Sequence, residues 1–227
     1  MVTNLFKYLL AAALLMGAGV VASATLNVDF GIGGTNVYNG LGAAPDAAAN
    51  TVWNGLDQDG GSTLLYSDGS AATGISVATD IMGTAGQPFS DGGNALMGDR
   101  IFRKVGWTQF DVTISGLSAG SYDLYVYGSH TNYDSLYTVD GKSDFSLGVN
   151  SDYPFVHHDN YAYIDGVIVP LSGEVVITVD NYLGADGSAA AVIGGFQLTS
   201  VPVPGAAILF GTGLIGLVGF ARKRISK

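Results

Sequence analysis

Apolar and polar residues alternate along several short stretches of this chain, with the period of two that is typical of β-strands. Residues 25–30 (TLNVDF) alternate in this way, which predicts a first strand with one buried face. Residues 108–114 (TQFDVTI) and 122–127 (YDLYVY) repeat the pattern. Because a glycine- and serine-rich stretch joins these last two segments, we expect them to form a hairpin.

Further strands are predicted at short intervals, and no long amphipathic helix separates them. They cover residues 51–54, 62–66, 74–79, 136–139, 142–147, 161–169, 174–181 and 190–199. The Asp140-Gly141 dipeptide predicts a tight turn between two of them. The predicted fold class is therefore all-β, an antiparallel β-sandwich of jelly-roll-like type over residues 25–200, with a signal helix before it and a transmembrane helix after it.

The N-terminal segment has the features of a secretory signal. Lys7 gives a weakly basic start, residues 9–21 are apolar, and Ala22-Ser23-Ala24 has the small-x-small cleavage pattern. These features predict a signal peptide over residues 1–24, a mature chain that begins at Thr25, and the Sec translocon and signal peptidase as partners. A retained membrane anchor is the alternative, which the shortness of the apolar run disfavours.

The C-terminal segment, residues 201–227, contains a second apolar run. Residues 205–221 carry no charge, and a helix of that length reaches about 25 Å, just short of a bilayer's hydrocarbon core. The basic tail 222–227 would stay cytoplasmic, since it begins with Arg222, Lys223 and Arg224. We expect a transmembrane helix here; the alternative, a buried core helix, does not explain the terminal basic cluster.

The tripeptide Pro202-Val203-Pro204, the glycine-rich apolar run that begins at Gly205 and the basic end occur in an order that resembles the PEP-CTERM sorting signal of Gram-negative bacteria. The usual tripeptide is Pro-Glu-Pro, so Val203 is a departure from the family's pattern. The resemblance covers residues 201–224. It implies an inner-membrane intermediate, removal of the tail by an exosortase, and delivery to the cell surface or extracellular matrix, but no activity for the remaining residues.

A second resemblance concerns the predicted sandwich. Residues 114–117 (ISGL), 122–128 (YDLYVYG) and 193–198 (IGGFQL) are similar to stretches of galactose-binding-like and malectin-like β-sandwich modules. These stretches carry packing positions and no ligand residues. The resemblance therefore implies a jelly roll and transfers no binding site.

The charge of the exported part excludes some partners. Between the two terminal segments lie four Lys and Arg residues and all 19 Asp and Glu residues, which gives a net charge of −15. A domain this acidic does not neutralise phosphates, so nucleic acid and anionic lipid are not expected as partners. The absence of cysteine excludes disulfides and thiol catalysis.

Two short motifs match enzyme fingerprints only formally. Residues 116–120 (GLSAG) fit the Gly-x-Ser-x-Gly elbow, but a strand pattern follows where the elbow needs a helix. Residues 211–216 (GTGLIG) fit a dinucleotide fingerprint inside the apolar C-terminal run, with no strand before them. His157 and His158 are adjacent, and neighbouring strand residues face opposite sides, so a metal site completed by His130 and Asp159 is disfavoured.

Aspartate-rich turns are the candidate metal sites. Asp57 and Asp59 lie in one turn region, and Asp180 and Asp186 in another. Ca²⁺ takes six to eight oxygen ligands of this kind. Aspartate and glycine also cluster in ordinary turns, which is the alternative explanation. Ca²⁺ is the one cofactor that these residues suggest.

Tyrosine is concentrated between residues 125 and 163. Aromatic rings stack on the apolar faces of sugars, so this region is a candidate glycan-binding surface, with Tyr125, Tyr127 and Tyr133 as its residues. The alternative is that tyrosine is simply a good strand former with an apolar body and a polar tip. Both interpretations stay open from the sequence.

Three functions follow, in this order. The first is an exported, non-catalytic structural protein of the cell surface or an exopolysaccharide-rich matrix. The second is a carbohydrate-binding module that uses the tyrosines, with Ca²⁺ holding its loops and extracellular polysaccharide as partner. The third, a polysaccharide-active enzyme, has the least support, because among 18 aspartates no acid/base pair stands out.

Overall fold

The computed structural model of the chain describes residues 25–31, 37–45, 51–81, 89–90, 95–103, 109–128, 133–148, 154–182 and 190–202. The predicted signal peptide and the predicted membrane helix lie outside these residues. Within them, no helix is long and apolar enough to cross a membrane. All the strands below belong to one compact unit, Ser23–Val201.

Thirteen strands and one short helix form the regular structure of the described residues. In chain order they are β1 (Thr25–Phe30), β2 (Asn54–Leu56), β3 (Ser76–Thr79), β4 (Phe89–Ser90), α1 (Ala95–Gly98), β5 (Asp99–Arg103), β6 (Gln109–Ser115), β7 (Gly120–Tyr127), β8 (Ser135–Val139), β9 (Lys142–Ser146), β10 (Tyr161–Val169), β11 (Val175–Asn181), β12 (Ala191–Ile193) and β13 (Gly195–Ser200).

Two five-stranded sheets contain most of these strands. The first has the order β10–β7–β13–β1–β2, and the second has the order β3–β6–β11–β8–β9. Neighbours in both sheets are antiparallel except β1 and β2, which are parallel. β12, β5 and β4 form a third, smaller sheet.

Apolar side chains from both five-stranded sheets pack into one core. Val28, Leu124 and Phe196 come from the first sheet and Phe110 and Ile177 from the second, and all five are buried. Burying a side chain of this size stabilises the folded state by about 1.5–3 kcal/mol. The prediction of an all-β sandwich with mainly antiparallel strands is confirmed.

One of the two predicted hairpins forms and the other does not. β8 and β9 pair through Asp140 (φ 50°) and Gly141 (φ 75°), the left-handed pair that a two-residue hairpin requires. β6 and β7 belong to different sheets, so the prediction that they pair was wrong. The chain crosses between the sheets at Gly116 (φ 82°), where a Cβ atom would lie 1.9 Å from the carbonyl oxygen of Gly74.

Both faces of β1 are buried, although its alternation predicts one. Thr25, Asn27 and Asp29 point away from the core and are still at most 1% exposed. Residues 37–45 and 51–53 cover this second face: the backbone N–H of Tyr38 donates to Asp29 Oδ2 at 2.7 Å, and Asn27 Nδ2 donates to the Val52 carbonyl oxygen at 3.0 Å. The polar residues of β1 therefore do not mark a solvent-exposed face.

A buried polar network holds the covering loop on the first sheet. Gln197 Oε1 accepts hydrogen bonds from the backbone N–H of Ala44 at 3.0 Å and from the Tyr127 hydroxyl at 2.5 Å. Gln197 Nε2 donates to Asn27 Oδ1 at 2.9 Å, and the backbone N–H of Ala43 donates to the Tyr127 hydroxyl at 2.6 Å. Because these groups satisfy one another, their burial costs little.

Asp29 is the exception on this buried face. Its Oδ1 has no hydrogen-bond partner among the residues that the structure describes. Burial raises the pKa of Asp29 to about 7, the negative charge of Asp99 adds to the increase, and the hydrogen bond from Tyr38 opposes it. The carboxyl group is inaccessible to solvent, so we assign it a structural role.

We expect Asp29→Asn to weaken the dependence of stability on pH. The folded chain keeps a proton on Asp29 that the unfolded chain releases above its pKa of 3.8. Protonated Asp29 therefore contributes fully to the free energy of unfolding below about pH 4, and this contribution is lost as pH rises through about 7. Each unit of raised pKa is worth about 1.4 kcal/mol. Urea unfolding between about pH 4 and pH 8 measures the slope.

The matched control is Asp68→Asn on the surface, whose carboxylate is bound by Ser70. Hydrogen bonds from Ser70 lower the pKa of Asp68, so its contribution has the opposite sign. If the free energy of unfolding of Asp29→Asn depended on pH in the same way as that of the parent, the raised pKa of Asp29 would be refuted.

Candidate functional site

β9 and β10 are outermost strands of the two different sheets, and they meet at one corner of the sandwich. Lys142 Nζ on β9 donates to the carbonyl oxygens of Asp165 (2.5 Å) and Gly166 (2.9 Å) on β10. The turn 154–160 leads into β10 at the same place. We call β9, β10 and this turn the β9–β10 corner.

The Asp144 carboxylate lies at the centre of the β9–β10 corner. Its Oδ2 accepts a hydrogen bond from the backbone N–H of Tyr163 at 2.7 Å and lies 2.6 Å from His157 Nε2. Its Oδ1 lies 2.9 Å from His158 Nε2. Burial by itself raises the pKa of Asp144, but the hydrogen bonds from Tyr163, His157, Phe145 and His158 outweigh burial and lower it.

Two adjacent histidines reach the same carboxylate because the backbone turns between them. His158 has φ 71°, in the left-handed region that a non-glycine residue seldom occupies. The two imidazole rings therefore lie on one side and stack, with centroids 3.8 Å apart. Asn160, which is fully buried, fixes the turn by accepting the backbone N–H of Val156 at 2.8 Å.

Seven partly exposed rings form a continuous aromatic strip across this corner, and we use that name for them together. They are Tyr125, Phe145, His157, His158, Tyr161, Tyr163 and Tyr182. Tyr182, Phe145 and His158 stack nearly parallel, with centroid distances of 4.4 and 4.3 Å. Tyr125 lies 4.7 Å from Tyr163 and 6.1 Å from Tyr161.

The three tyrosines proposed from the sequence differ in burial and position. Tyr125 belongs to the aromatic strip, and burial, followed by the neighbouring Tyr163, raises its pKa. Tyr127 is fully buried under Trp53 and Phe155, so its ring is not available to a ligand. Tyr133 lies outside the strip, with the Arg100 guanidinium 5.1 Å from its ring centroid.

The aspartates proposed for Ca²⁺ are not brought together among the described residues. Asp57 Oδ1 accepts the backbone N–H of Asp59 within one turn, at 2.9 Å. Asp180 lies on β11 and caps the N–H of Asn181, at 2.7 Å. Asp186 lies outside the described residues. Among those described, Asp144, His157 and His158 are the group with metal-binding geometry.

Asp144, Phe145 and Tyr182 were not predicted from the sequence as members of a site. Asp144 is 13 positions from His157 and 14 from His158, and a single aspartate on a polar strand carries no local signal. The expectation that His157 and His158 face opposite ways was wrong, because it assumed strand geometry where the structure has a left-handed turn. Asp159, which sequence reasoning paired with them, instead donates its N–H to the Val156 carbonyl oxygen.

Comparison with known proteins assigns no family. No family model matches the chain, and no curated protein matches it. Solved structures align at low identity. The protein YxiM of Bacillus subtilis aligns over 78% of this chain and 40% of its own, with 12% identity and a TM-score of 0.45.

Two further structures align in the same way. A plant receptor-like kinase, FER, covers 78% of this chain and 42% of its own at 14% identity, with a TM-score of 0.43. A CBM36-1 domain of a multidomain xylanase from the hindgut metagenome of Trinervitermes trinervoides covers 57% and 99% at 13% identity, with a TM-score of 0.35. The chain thus spans about two-fifths of the first two proteins, and similarity this low transfers no function.

We expect Asp144→Ala to destabilise the chain by about 1–3 kcal/mol, because the partly buried N–H of Tyr163 and both imidazoles lose the carboxylate that they contact. Urea unfolding at neutral pH measures the change. The control is Asp159→Ala in the turn that carries the two histidines. The Asp159 side chain makes none of these contacts, so this substitution should cost less than about 0.5 kcal/mol. Equal costs for the two variants would contradict the central position of Asp144.

Proposed function

We propose that this chain is a non-catalytic carbohydrate-binding protein that engages extracellular polysaccharide through the aromatic strip. The observation that carries the proposal is a set of partly exposed rings at the β9–β10 corner with carboxylates at its edge. Ring faces pack on the apolar C–H faces of pyranoses, while carboxylate oxygens accept sugar hydroxyls. An apolar wall with a few placed polar groups is the usual composition of a small-molecule site.

Tyr161 and Tyr163 are the rings that we expect to contact sugar. Phe145 and His158 have a ring stacked on each of their faces, so only their edges remain free. Tyr161 and Tyr163 lie on β10 and are tilted to Tyr125, at 35° and 37°. Tyr127 and His157 also neighbour Tyr161, and His157 neighbours Tyr163, but among the described residues no ring stacks parallel on either tyrosine. Tyr125 supports both from the neighbouring strand β7.

Charge favours a neutral polysaccharide over an acidic one. The full chain carries a net charge of −10. Asp123 and Asp165 lie beside the strip. Burial is the main cause of the raised pKa of Tyr163, and the negative charges of Asp123 and Asp165 raise it further. With Asp144 nearby, three carboxylates would repel uronate or sulfate groups.

We also propose that the protein is exported and sorted to the cell surface or extracellular matrix by an exosortase, where it has a structural role among exopolysaccharides. Residues 1–24 and the signal beginning at Pro202 support this proposal. Binding a neutral polysaccharide and a structural role in the matrix are compatible functions, because a matrix protein that binds glycan helps to hold the polysaccharide in place. Ca²⁺ at the aspartate turns stays a prediction.

Alanine at Tyr161 or Tyr163 should weaken polysaccharide binding about 5- to 30-fold, the effect of losing roughly 1–2 kcal/mol at a contact that matters. A glycan array of neutral and acidic polysaccharides identifies the ligand class, and calorimetry on the strongest neutral hit gives the dissociation constants.

Phenylalanine at the same positions is the matched control, because it keeps the ring and removes only the hydroxyl. Leu171→Ala, at a fully exposed turn between β10 and β11, controls for a general surface effect. A flat array across neutral polysaccharides, or alanine variants that bind as tightly as the parent, would overturn the proposal.

Export and sorting have a separate test in the intact mass of protein recovered from its native host. We expect a chain that starts at Thr25 and ends between Pro202 and Gly205. A mass that still includes residues 205–227 would contradict removal of the tail and would make the apolar segment a permanent anchor.

A further inference from the structure

We propose that Asp144, His157 and His158 form a binding site for a first-row transition metal ion, with Zn²⁺ as its occupant. One ligand atom from each residue lies within 4.8 Å of the other two. Zn²⁺ is held by nitrogen at about 2.0–2.1 Å and by carboxylate oxygen at about 2.0–2.2 Å, so a small rotation of the rings brings all three atoms onto one ion. The inference does not depend on sugar binding.

The donor set selects the class of metal. Two imidazole nitrogens and one carboxylate suit Zn²⁺, Cu²⁺ or Ni²⁺, whereas Ca²⁺ takes six to eight oxygens. The site is therefore distinct in both residues and chemistry from the Ca²⁺ sites predicted at Asp57 and Asp180. Three protein ligands leave one tetrahedral position open to water.

The surroundings support the ligands. The N–H of Tyr163 holds Asp144 Oδ2 at 2.7 Å, which fixes the carboxylate in the way that outer hydrogen bonds orient metal ligands. The side chain of Asp144 is 14% exposed, while those of His157 and His158 are 42% and 43% exposed. An ion can thus reach the carboxylate and the exposed edges of the two imidazole rings from solvent.

The left-handed backbone of His158 turns the two imidazoles toward the same carboxylate. A non-glycine residue seldom adopts this conformation and keeps it only where the surroundings impose it. Here two hydrogen bonds impose it: the N–H of His158 donates to the Tyr161 carbonyl oxygen, and the N–H of Leu147 donates to the His158 carbonyl oxygen, both at 2.9 Å. The result is that adjacent imidazoles converge on one carboxylate.

A bound ion would connect the two sheets at their edges. Asp144 belongs to β9 in the second sheet, and the histidines belong to the turn that leads into β10 in the first. Because an ion that binds only the folded chain stabilises it by mass action, Zn²⁺ should raise the melting temperature, and Ca²⁺ at the same concentration should not.

The test is calorimetric titration of the untagged full chain with Zn²⁺ after treatment with a chelator. We expect one site. His157→Ala removes one exposed ligand, and His158→Asn removes the other with a residue that tolerates the left-handed backbone. Each should weaken binding at least about tenfold, while the control Asp159→Asn should leave it unchanged. Co²⁺ in place of Zn²⁺ should give the visible bands of a four-coordinate site.

Three outcomes would overturn the proposal. These are no heat of Zn²⁺ binding in the parent, equal affinity in the parent and both histidine variants, and several weak sites that compete equally with Ca²⁺. The melting temperatures of the two variants without metal show whether they remain folded. A loss of Zn²⁺ binding with an unchanged metal-free melting temperature supports the site.

Discussion

The hydrogen bonds to the Asp144 carboxylate are the contacts on which the β9–β10 corner depends. A sandwich whose two sheets share only an apolar core leaves its outermost strands with unpaired backbone groups. Here Asp144 on one edge accepts the backbone N–H of Tyr163 on the other, so a side chain replaces the missing strand partner. The same carboxylate orients His157 and His158, and through them the stacked part of the aromatic strip.

The second constraint is the cover on the outer face of the first sheet. Residues 37–45 and Trp53 lie over β1, β13 and the end of β7, and the buried groups of Gln197, Asn27 and Tyr127 hold them there. Tyr161 and Tyr163 on β10 are partly exposed, while Tyr127, directly opposite Tyr161 in the sheet, is buried. Burial beneath this cover therefore excludes Tyr127 from the candidate site.

Alternation along the chain predicted most strands and the sandwich, because the side-chain period of a strand depends only on local geometry. The Asp140-Gly141 dipeptide predicted the β8–β9 hairpin, because turn chemistry is also local. Alternation did not predict what covers a strand's second face, so β1 was expected to have one polar, uncovered side. Nor did it distinguish a hairpin from a crossing between sheets at Gly116, since both need a flexible turn.

The candidate site was predictable only in part. A concentration of tyrosines pointed to the right region, and Tyr125 was among the residues proposed, but burial decided against Tyr127. Asp144 comes to the histidines through pairing of distant strands, and the convergence of His157 and His158 depends on a single left-handed residue. Neither feature has a signature in the sequence, because both arise from tertiary contacts that fix the backbone locally.

Binding of neutral sugar by the aromatic strip can be followed by backbone amide NMR of the full chain during titration with neutral gluco-, galacto-, manno- and xylo-oligosaccharides. We expect saturable shifts confined to residues of β9, β10 and the turn 154–160, with Tyr161 and Tyr163 among the largest. Shifts centred on the opposite edge of the sandwich, around β2 and β3, or no shifts with any of the four, would contradict it.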